Sequence, residues 1–285
     1  MDYNNLKKKI VVKNFIVDMI LKKAFKNEGD KQMNSDYNIN NKVVQANQFI
    51  QQTNWTLKET QLKLLKVFIS CIDTKHPTGT VNITKKELVQ VLGDDYKNHY
   101  TYLINQIRSL QTSIKLYEDE KKITYVSLIN DFTWYKESEF VTVEFSKKIL
   151  PYLIDLNERF LQYDVYNVRG FNSKYGLILY EYLLSRERQE RDKDHEYFIS
   201  LNDLKRLTGT MDKYERVDAF ERKIVKVAMK DINNANVEFL MKYEKVKTGR
   251  NIIGIKFMLR KRTSYIETEF DELGKKLMQV VYDMQ

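Results

Sequence analysis

Residues 214–236 have the most regular spacing of hydrophobic and polar positions in the chain, with the sequence YERVDAFERKIVKVAMKDINNAN. The apolar positions recur every three or four residues, at Val217, Phe220, Ile224, Val227, Ala228 and Ile232. On a helix with this spacing, Arg222, Lys226 and Lys230 lie on the opposite side, with Arg216 and Lys223 beside them. The pattern predicts an amphipathic helix with one buried face and one cationic face.

Residues 41–155 show the same kind of pattern at several places. Two capping boxes, Thr56 with Glu59 and Thr84 with Glu87, predict the starts of two helices, and the second helix ends at Gly93. A short strand precedes the second helix, and a third amphipathic helix follows it. We predict that this third helix runs from about Tyr96 to Ser113. Its apolar side contains Tyr100, Leu103, Ile104, Ile107 and Leu110. Two β-hairpins then follow, around the polar stretches EDEKK and KESE.

The second half repeats this order. Residues 156–173 show neither a helical nor a strand pattern, and we interpret them as a connection between domains. A strong helix follows from residue 174, then the strand EYFISL and a short helix that Asn202 caps and Gly209 ends. The amphipathic helix comes next, and residues 237–262 form a hairpin around the turn KTGR.

The two halves align at one offset of 116 residues. The matched pairs are Glu87-Leu88 with Asp203-Leu204, Val91 with Leu207, and Gly93 with Gly209. Helices followed by a hairpin are typical of a winged-helix domain, in which a short helix and a longer recognition helix form a helix-turn-helix. The sequence therefore predicts an α+β fold of two tandem winged-helix domains related by an internal repeat. The predicted boundaries are an N-terminal extension at 1–37, domains at 38–155 and 174–262, the connection at 156–173, and a C-terminal tail at 263–285.

The net charge of +9 is concentrated in one segment of the 285-residue chain. Residues 213–262 contain fourteen Lys and Arg against six Asp and Glu. A concentrated basic segment indicates a polyanionic partner, whereas evenly spread charge would indicate only solubility. A solvated surface helix is the competing interpretation of the same residues.

We predict that Arg216, Arg222 and Lys226 reach base edges, and that Lys223 and Lys230 extend the same basic face. On the hairpin, Lys242, Lys245, Lys247 and Arg250 are the predicted phosphate contacts. Asn105 and Arg108 are weaker candidates in the first domain, where Lys121–Lys122 form a candidate first wing.

Three motifs resemble those of the initiator replication proteins of iteron-containing plasmids. They are WTLKETQLKLLKVFIS, FNSKYGLILYEYLLS and YERVDAFERKIVKVAMKDIN, and the resemblance covers about residues 38–262. It implies two winged-helix domains that bind repeated double-stranded DNA sites, the iterons, in a plasmid origin. The C-terminal domain would make the main base contacts, and the N-terminal domain would add DNA contacts or dimerise.

The resemblance further implies that monomers recruit host replication proteins, such as a helicase or initiator, and that dimers repress the protein's own gene. The family's base-contacting arginines correspond to Arg216 and Lys223. Lys223 departs from the family pattern because lysine lacks the fixed fork of a guanidinium group. Glu221, beside it, departs from the basic residues found in relatives. This difference predicts weaker DNA binding or a changed DNA sequence preference.

The sequence offers little support for catalysis or for a cofactor. No P-loop motif is present, and His76, His99 and His195 are isolated rather than paired as a metal-dependent nicking enzyme requires. The single cysteine, Cys71, lies in the apolar run VFISCI, where we expect a small core residue. We therefore predict a protein without metal or cofactor in a reducing cytosol. The resemblance implies that this is the bacterial cytoplasm and that the protein is associated with a plasmid.

Two alternatives stay open from the sequence. One is a transcriptional regulator with two winged helices and no replication role. The other is an enzyme, or a basic membrane-associated protein acting through residues 1–25. Residues 1–32 mix apolar and cationic residues with helical spacing, and either a membrane-surface helix or an extension with little structural role fits them. No cleavage site follows, so we do not expect secretion. No apolar run reaches the length of about 18 residues that is needed to span a bilayer, and we expect no membrane partner.

Overall fold

The computed structural model describes residues 34–73, 78–92, 99–117, 121–154, 156, 159–190 and 194–262. The predicted helical segment in 1–32, the tail 263–285, His76 and Gly93 lie outside these residues.

From residue 59 in the first half and from residue 174 in the second, the described elements follow the predicted order. The first half contains β1 (Lys42–Ala46), α1 (Asn47–Gln52), β2 (Thr53–Asn54), α2 (Glu59–Ser70), β3 (Thr80–Thr84), α3 (Lys85–Leu92), α4 (Tyr100–Arg108), β4 (Ser113–Tyr117), β5 (Ile123–Ser127), β6 (Ile129–Trp134) and β7 (Phe140–Phe145). The second contains β8 (Phe160–Asp164), α5 (Lys174–Glu190), β9 (Glu196–Ser200), α6 (Leu201–Leu207), α7 (Val217–Phe220), α8 (Lys226–Asn234), β10 (Phe239–Thr248) and β11 (Asn251–Lys261). Short 3₁₀ helices lie at Ser109–Gln111, Leu150–Tyr152 and Val165–Gly170.

Each half contains a three-stranded antiparallel sheet of the same topology. The strand orders are β3-β7-β6 in the first half and β9-β11-β10 in the second. β3 and β9 both have five residues, and Thr80 and Glu196 at their starts are separated by the predicted 116 positions. The hairpin β6–β7 is therefore the counterpart of the β10–β11 hairpin, which is the wing of the second domain.

The hairpin β4–β5 pairs with β2 and has no counterpart among the described residues of the second half. Lys121–Lys122 precede β5 on this inserted hairpin, so their assignment to a first wing was wrong. The sequence shows two successive hairpins but not which of them pairs with β3, because that pairing joins residues about 60 positions apart.

The internal repeat also includes residues that we predicted to be a connection. Residues 156–173 contain the strand β8 and a six-residue 3₁₀ helix, with the same lengths as β1 and α1 118 positions earlier. β1 and β8 pair antiparallel, and their central residues, Val44 and Gln162, face each other. Pairing of equivalent residues is the pattern that a twofold relation between two repeats produces.

The two short helices beside this strand pair are exchanged between the halves. α1 of the first half packs on α5 of the second, whereas the 3₁₀ helix Val165–Gly170 packs on α2 and α3 of the first. Residues 156–173 are therefore an integral part of the core, and the two halves share it.

Two of the three predicted helix caps differ in the structure. The box of Thr84 and Glu87 is confirmed: the Thr84 N–H donates to Glu87 Oε2 at 2.9 Å, and the Glu87 N–H donates to Thr84 Oγ1 at 3.2 Å. α2 instead begins at Glu59, where the Lys58 N–H donates to the Gln61 side chain at 2.8 Å. The box of Thr56 and Glu59 was therefore wrong, because Thr56 lies in the turn that follows β2.

The cap of α6 is Ser200 rather than the predicted Asn202. The Asp203 N–H donates to Ser200 Oγ at 3.0 Å. β9 ends at Ser200 and α6 begins at the next residue, so the cap falls on the last residue of the strand.

A fully buried ion pair joins the two halves. Lys66 on α2 and Glu181 on α5 lie 2.9 Å apart with no exposed side-chain surface. Gln45 and Tyr163, from β1 and β8, both donate to Glu181, at 2.5 and 2.6 Å, and Lys66 lies over the ring of Trp55. Lys66 and Glu181 therefore neutralise each other, and neutral groups supply further hydrogen bonds, as a buried ion pair requires.

A second junction lies around the backbone of Trp55. Its N–H donates to the carbonyl of Leu207 on α6 at 3.2 Å, and its carbonyl accepts from Lys174 Nζ at 3.1 Å. Burial, together with the nearby charge of Lys213, lowers the pKa of Lys174 to about 8. Gly209, with φ +65°, lies so close that a Cβ there would be 2.6 Å from the Trp55 oxygen.

Residues 35–37, at the end of the predicted N-terminal extension, cover the outer edge of β3. The Asp36 N–H donates to the carbonyl of Asn82 at 2.8 Å, and the Asn82 N–H donates to the Asp36 carboxylate at 2.6 Å. Ser35 donates to Glu87 at 2.5 Å, and Tyr37 packs against the core.

Candidate nucleic-acid interface

The recognition helix of the second domain comprises α7, a π turn at Glu221–Val225, and α8. Its buried face consists of Phe220, Ile224, Val225, Ala228 and Ile232, all without exposed surface. The five cationic residues predicted for the other side, Arg216, Arg222, Lys223, Lys226 and Lys230, are all exposed. The predicted division into an apolar face and a cationic face is therefore confirmed.

Two residues predicted for the buried face of this helix are not buried, since Val217 is partly exposed and Val227 is exposed. Val227 is 37% exposed, and Val225 is buried instead. A π turn contains one residue more than an α turn, so the residues that follow it are rotated relative to an uninterrupted α-helix. The predicted apolar spacing assumed a continuous period of 3.6 residues.

Arg216 lies at the N-terminal end of the recognition helix, where it is held by a carboxylate of its own helix. Its guanidinium donates to Asp218 through Nε at 3.1 Å and through a terminal nitrogen at 2.9 Å, and its side chain is 82% exposed. The hydrogen bond to Arg216 is the largest influence on the pKa of Asp218 and lowers it. Arg216 can bind a guanine with the same fork only by releasing Asp218.

The loop that leads into the recognition helix has a strained residue. Tyr214 has φ +58°, which is uncommon for a residue with a side chain. Lys205 on α6 donates to the Tyr214 carbonyl at 3.0 Å and lies over the ring of Phe220. Lys205 thereby fixes the entry to the helix, a role that its position in a short helix did not reveal in the sequence.

The cations of the wing divide between its two faces. Tyr243 and Lys245 lie on the sheet face toward the recognition helix, because both donate hydrogen bonds to Glu221 in the middle of that helix. Side chains alternate along a strand, so Lys242 lies on the opposite face, where Glu244 and Lys256 form an ion pair. The predicted phosphate contacts on the wing therefore do not form one surface.

The tip of the wing presents the remaining two cations. Lys247, near the end of β10, and Arg250, in the turn itself, are both exposed, and Gly249 in the same turn has φ +59°. The strand register shifts between Val246 and Lys247, so the hairpin changes direction just before its tip.

Two motif residues of the recognition helix hold its surroundings in place. Asn233 donates to the Met241 carbonyl at 2.9 Å and accepts from the Met241 N–H at 2.7 Å, which attaches β10 to α8. Asp231 is buried and accepts from the N–H groups of Asn172 and Ser173, both at 2.9 Å, just before α5. Both residues belong to the third motif, and their contacts are structural.

In the first domain, Asn105 and Arg108 are exposed on α4, the counterpart of the recognition helix. α4 begins at Tyr100 and ends at Arg108, shorter than predicted, and Tyr100 is 43% exposed rather than buried. Its ring lies 5.6 Å from that of Trp134 on β6, and Lys85 lies over both rings. The tip of the β6–β7 hairpin, at 135–139, lies at the position of a first wing.

The described residues contain no arrangement that suggests a catalytic or metal centre. No group of three or more His, Cys, Asp or Glu among them could hold a metal ion. A cleft of about 360 Å³ lies between α1, α5 and α6, but its arginines, Arg186 and Arg206, are paired with Glu190 and Asp203. Cys71 is buried, and burial raises the pKa of its thiol, as expected for a core residue. None of the helices in the described ranges is long and apolar enough to span a membrane.

Comparisons with known proteins identify both domains. A family model described as "Initiator Replication protein, WH1" matches residues 42–184, and one described as "Initiator Rep protein, WH2" matches residues 200–259. A replication initiation protein of Escherichia coli is 28% identical over 199 aligned residues, and the match covers 67% of this chain. The chain matches only 61% of the length of that relative.

A solved structure has the same fold. It is described as the crystal structure of the Pi initiator protein in complex with iteron DNA, and it matches with a TM-score of 0.65 and 17% sequence identity. The match covers 80% of this chain and all of the solved one. Together with the repeated sheet topology, the two family models show that the chain is a member of the initiator replication protein family, built from two tandem winged-helix domains.

Proposed function

We propose that this protein binds directly repeated double-stranded DNA sites, the iterons, in a plasmid origin, and that this binding starts replication. The observation that carries the proposal is the recognition helix with five exposed cations, followed by a wing with two exposed cations at its tip. A helix of this kind enters a major groove while the wing contacts the adjacent backbone. The likeness in fold to an initiator solved with iteron DNA supports binding to DNA of this kind.

The contacts divide into two roles. Arg216, Arg222 and Lys226 are proposed to read base edges, and Lys223 and Lys230 to extend the same face toward bases or phosphates. Lys247 and Arg250 at the wing tip are proposed to bind phosphates. Base contacts set sequence preference, whereas phosphate contacts set affinity and its salt dependence.

The first domain is proposed to add fewer contacts or to dimerise. Asn105 and Arg108 on α4 remain its candidate DNA contacts, and the β6–β7 tip replaces Lys121–Lys122 as the candidate wing. Exposed Lys136 at that tip is a further candidate for a phosphate contact.

The proposal includes partners and a location. Host replication proteins, such as a helicase or initiator, are recruited to the bound origin, and a dimer represses the protein's own gene. Neither role requires a catalytic residue or a cofactor in this chain. The protein would act in the bacterial cytoplasm on the plasmid.

Footprinting tests the proposal directly. The purified full chain is added to DNA from both sides of its own gene, and protection is mapped with DNase I. We expect a series of regularly spaced, protected direct repeats. Protection of a single isolated operator would favour a transcriptional regulator instead, and uniform protection without preferred sites would contradict sequence-specific binding.

A further inference from the structure

Glu221 joins the recognition helix to the wing. It is the first residue of the π turn, and each of its carboxylate oxygens accepts one hydrogen bond from β10. Tyr243 donates to Oε1 at 2.7 Å, and Lys245 donates to Oε2 at 2.9 Å. Only 13% of the Glu221 side chain is exposed.

These contacts hold Glu221 in its charged form. Burial alone would raise its pKa, but the hydrogen bonds from Lys245 and Tyr243 and the nearby charge of Lys226 outweigh burial and lower the pKa. Burial and the bond to Glu221 raise the pKa of Tyr243, so its hydroxyl stays a donor. The carboxylate therefore does not repel DNA as a free acidic residue on this face would.

The position of the contact matters because it links two elements with different DNA partners. Arg222 and Lys223 follow Glu221 directly on the recognition helix, and Lys247 lies two residues beyond Lys245 on the wing. Fixing Glu221 to Tyr243 and Lys245 therefore fixes the spacing between the base-reading and phosphate-binding groups. A preorganised spacing favours the one DNA geometry that satisfies both sets of contacts.

We propose that Glu221 is a positioning residue that determines DNA specificity, by locking the wing to the recognition helix and withholding Lys245 from DNA phosphates. This inference rests on the proposed function. It reassigns Lys245, predicted as a phosphate contact, to the lock. It also gives the unexpected acidic residue of the third motif a role: lower affinity for any DNA in exchange for better discrimination between sequences.

Substitution of Glu221 by glutamine tests the lock, with Glu244→Gln as the matched control. Both changes remove one negative charge from the wing region, but Glu244 lies on the sheet face away from the helix. The probes are a duplex enriched by in vitro selection with the wild-type chain and a scrambled duplex of equal length and composition. Binding of each duplex is measured by fluorescence anisotropy over a range of salt concentrations.

We expect Glu221→Gln to increase affinity for the scrambled duplex about fivefold at physiological salt, because freed Lys245 neutralises one more phosphate. The slope of log K against log salt should steepen by about 0.9, and the ratio of selected to scrambled binding should fall. Glu244→Gln should change both affinities by the same factor and leave the ratio unaltered. Equal effects of the two variants on ratio and slope would overturn the proposal.

Lys245→Met provides an independent measurement. If Lys245 belongs to the lock, its loss leaves the salt slope unchanged and lowers the ratio of selected to scrambled binding. A slope that becomes shallower by about 0.9, with an unchanged ratio, would make Lys245 an ordinary phosphate contact and refute the lock.

A distance measurement separates the lock from the proposed function. Spin labels at exposed Asn234 and Thr248, in a Cys71→Ser background, report the position of the wing tip relative to the helix without DNA. We expect a narrow distance distribution that broadens in Glu221→Gln and not in Glu244→Gln. A wild-type chain that does not discriminate between the duplexes counts against the proposed function, whereas identical distributions in all three chains count against the lock.

Discussion

Arg216 combines high exposure with a bidentate contact to a neighbouring carboxylate. The guanidinium is thereby preformed for a guanine, but binding must exchange Asp218 for the base. We predict that Arg216→Ala weakens binding to the selected duplex by about 1–3 kcal/mol and relaxes preference at one base position.

The control for this prediction is Arg188→Ala, an exposed arginine on α5 that donates to the carbonyl of Gln162. It should lower affinity for selected and random DNA only slightly and to the same extent. Electrophoretic shift assays on the two duplexes provide the comparison. An equal loss on both duplexes for Arg216→Ala would assign this residue to phosphate rather than to a base.

The buried pair of Lys66 and Glu181 predicts a large effect on stability. Lys66→Met leaves the Glu181 carboxylate buried without its counter-charge, which should lower the free energy of unfolding by about 3–5 kcal/mol. Lys42→Met removes a lysine from the partly exposed pair with Asp164, and should cost less than about 1 kcal/mol. Urea denaturation of both variants measures the difference, and similar small losses would show that water reaches Glu181.

At the scale of elements, the π turn in the recognition helix predicts an unusual tolerance to deletion. Removing Lys223 deletes one residue from a turn that has one residue too many, so the flanking α-helical turns can keep their positions. Removing Lys230 instead rotates Ile232 out of the core, at a cost of about 2–5 kcal/mol. Each deletion removes one exposed lysine, so thermal unfolding compares them at equal charge. Equal losses would mean that the π turn is not a removable insertion.

The helices and strands of both domains were largely predictable because their apolar residues follow a helical or alternating period. The π turn was not, since Val225 and Val227 are both apolar and either one fits a helical pattern. The pairing of β1 with β8 was also missed, because 118 positions separate their equivalent residues. The cationic residues were correctly expected to be exposed. Which face of the wing each of them lies on depends on side-chain alternation along the strands, and the sequence did not define the register of that hairpin. The partners of Glu221 are 22 and 24 residues away, and no local pattern connects them.

At the scale of the whole molecule, Gly209 lies where the two halves meet at Trp55. Gly209→Ala places a Cβ 2.6 Å from the Trp55 oxygen and at a φ that favours glycine, so both strain and a clash should lower stability. Gly249 also has a positive φ, but a Cβ there would meet nothing within 4 Å. Gly249→Ala should therefore cost only about 1 kcal/mol, the conformational part of the effect.

The difference in melting temperature between the two glycine variants measures how much the contact at Trp55 between the halves contributes to stability. We expect Gly209→Ala to lower the melting temperature clearly more than Gly249→Ala, with circular dichroism and tryptophan fluorescence reporting one common transition. Both tryptophans, Trp55 and Trp134, lie in the first half. A fluorescence transition that separates from the transition of the whole chain would show that the halves unfold independently.

The antiparallel pair of β1 and β8 has a consequence for association. Two separate chains, each containing one repeat, could form this pair as a symmetric homodimer, and assembly would then depend on protein concentration. In one chain the partner strand is present at an effective concentration of the order of millimolar, so the pair forms at any dilution. Cleaving the chain between residues 145 and 160 would turn an intramolecular contact into a bimolecular one. The two halves would then bind DNA cooperatively only above the concentration at which they reassociate.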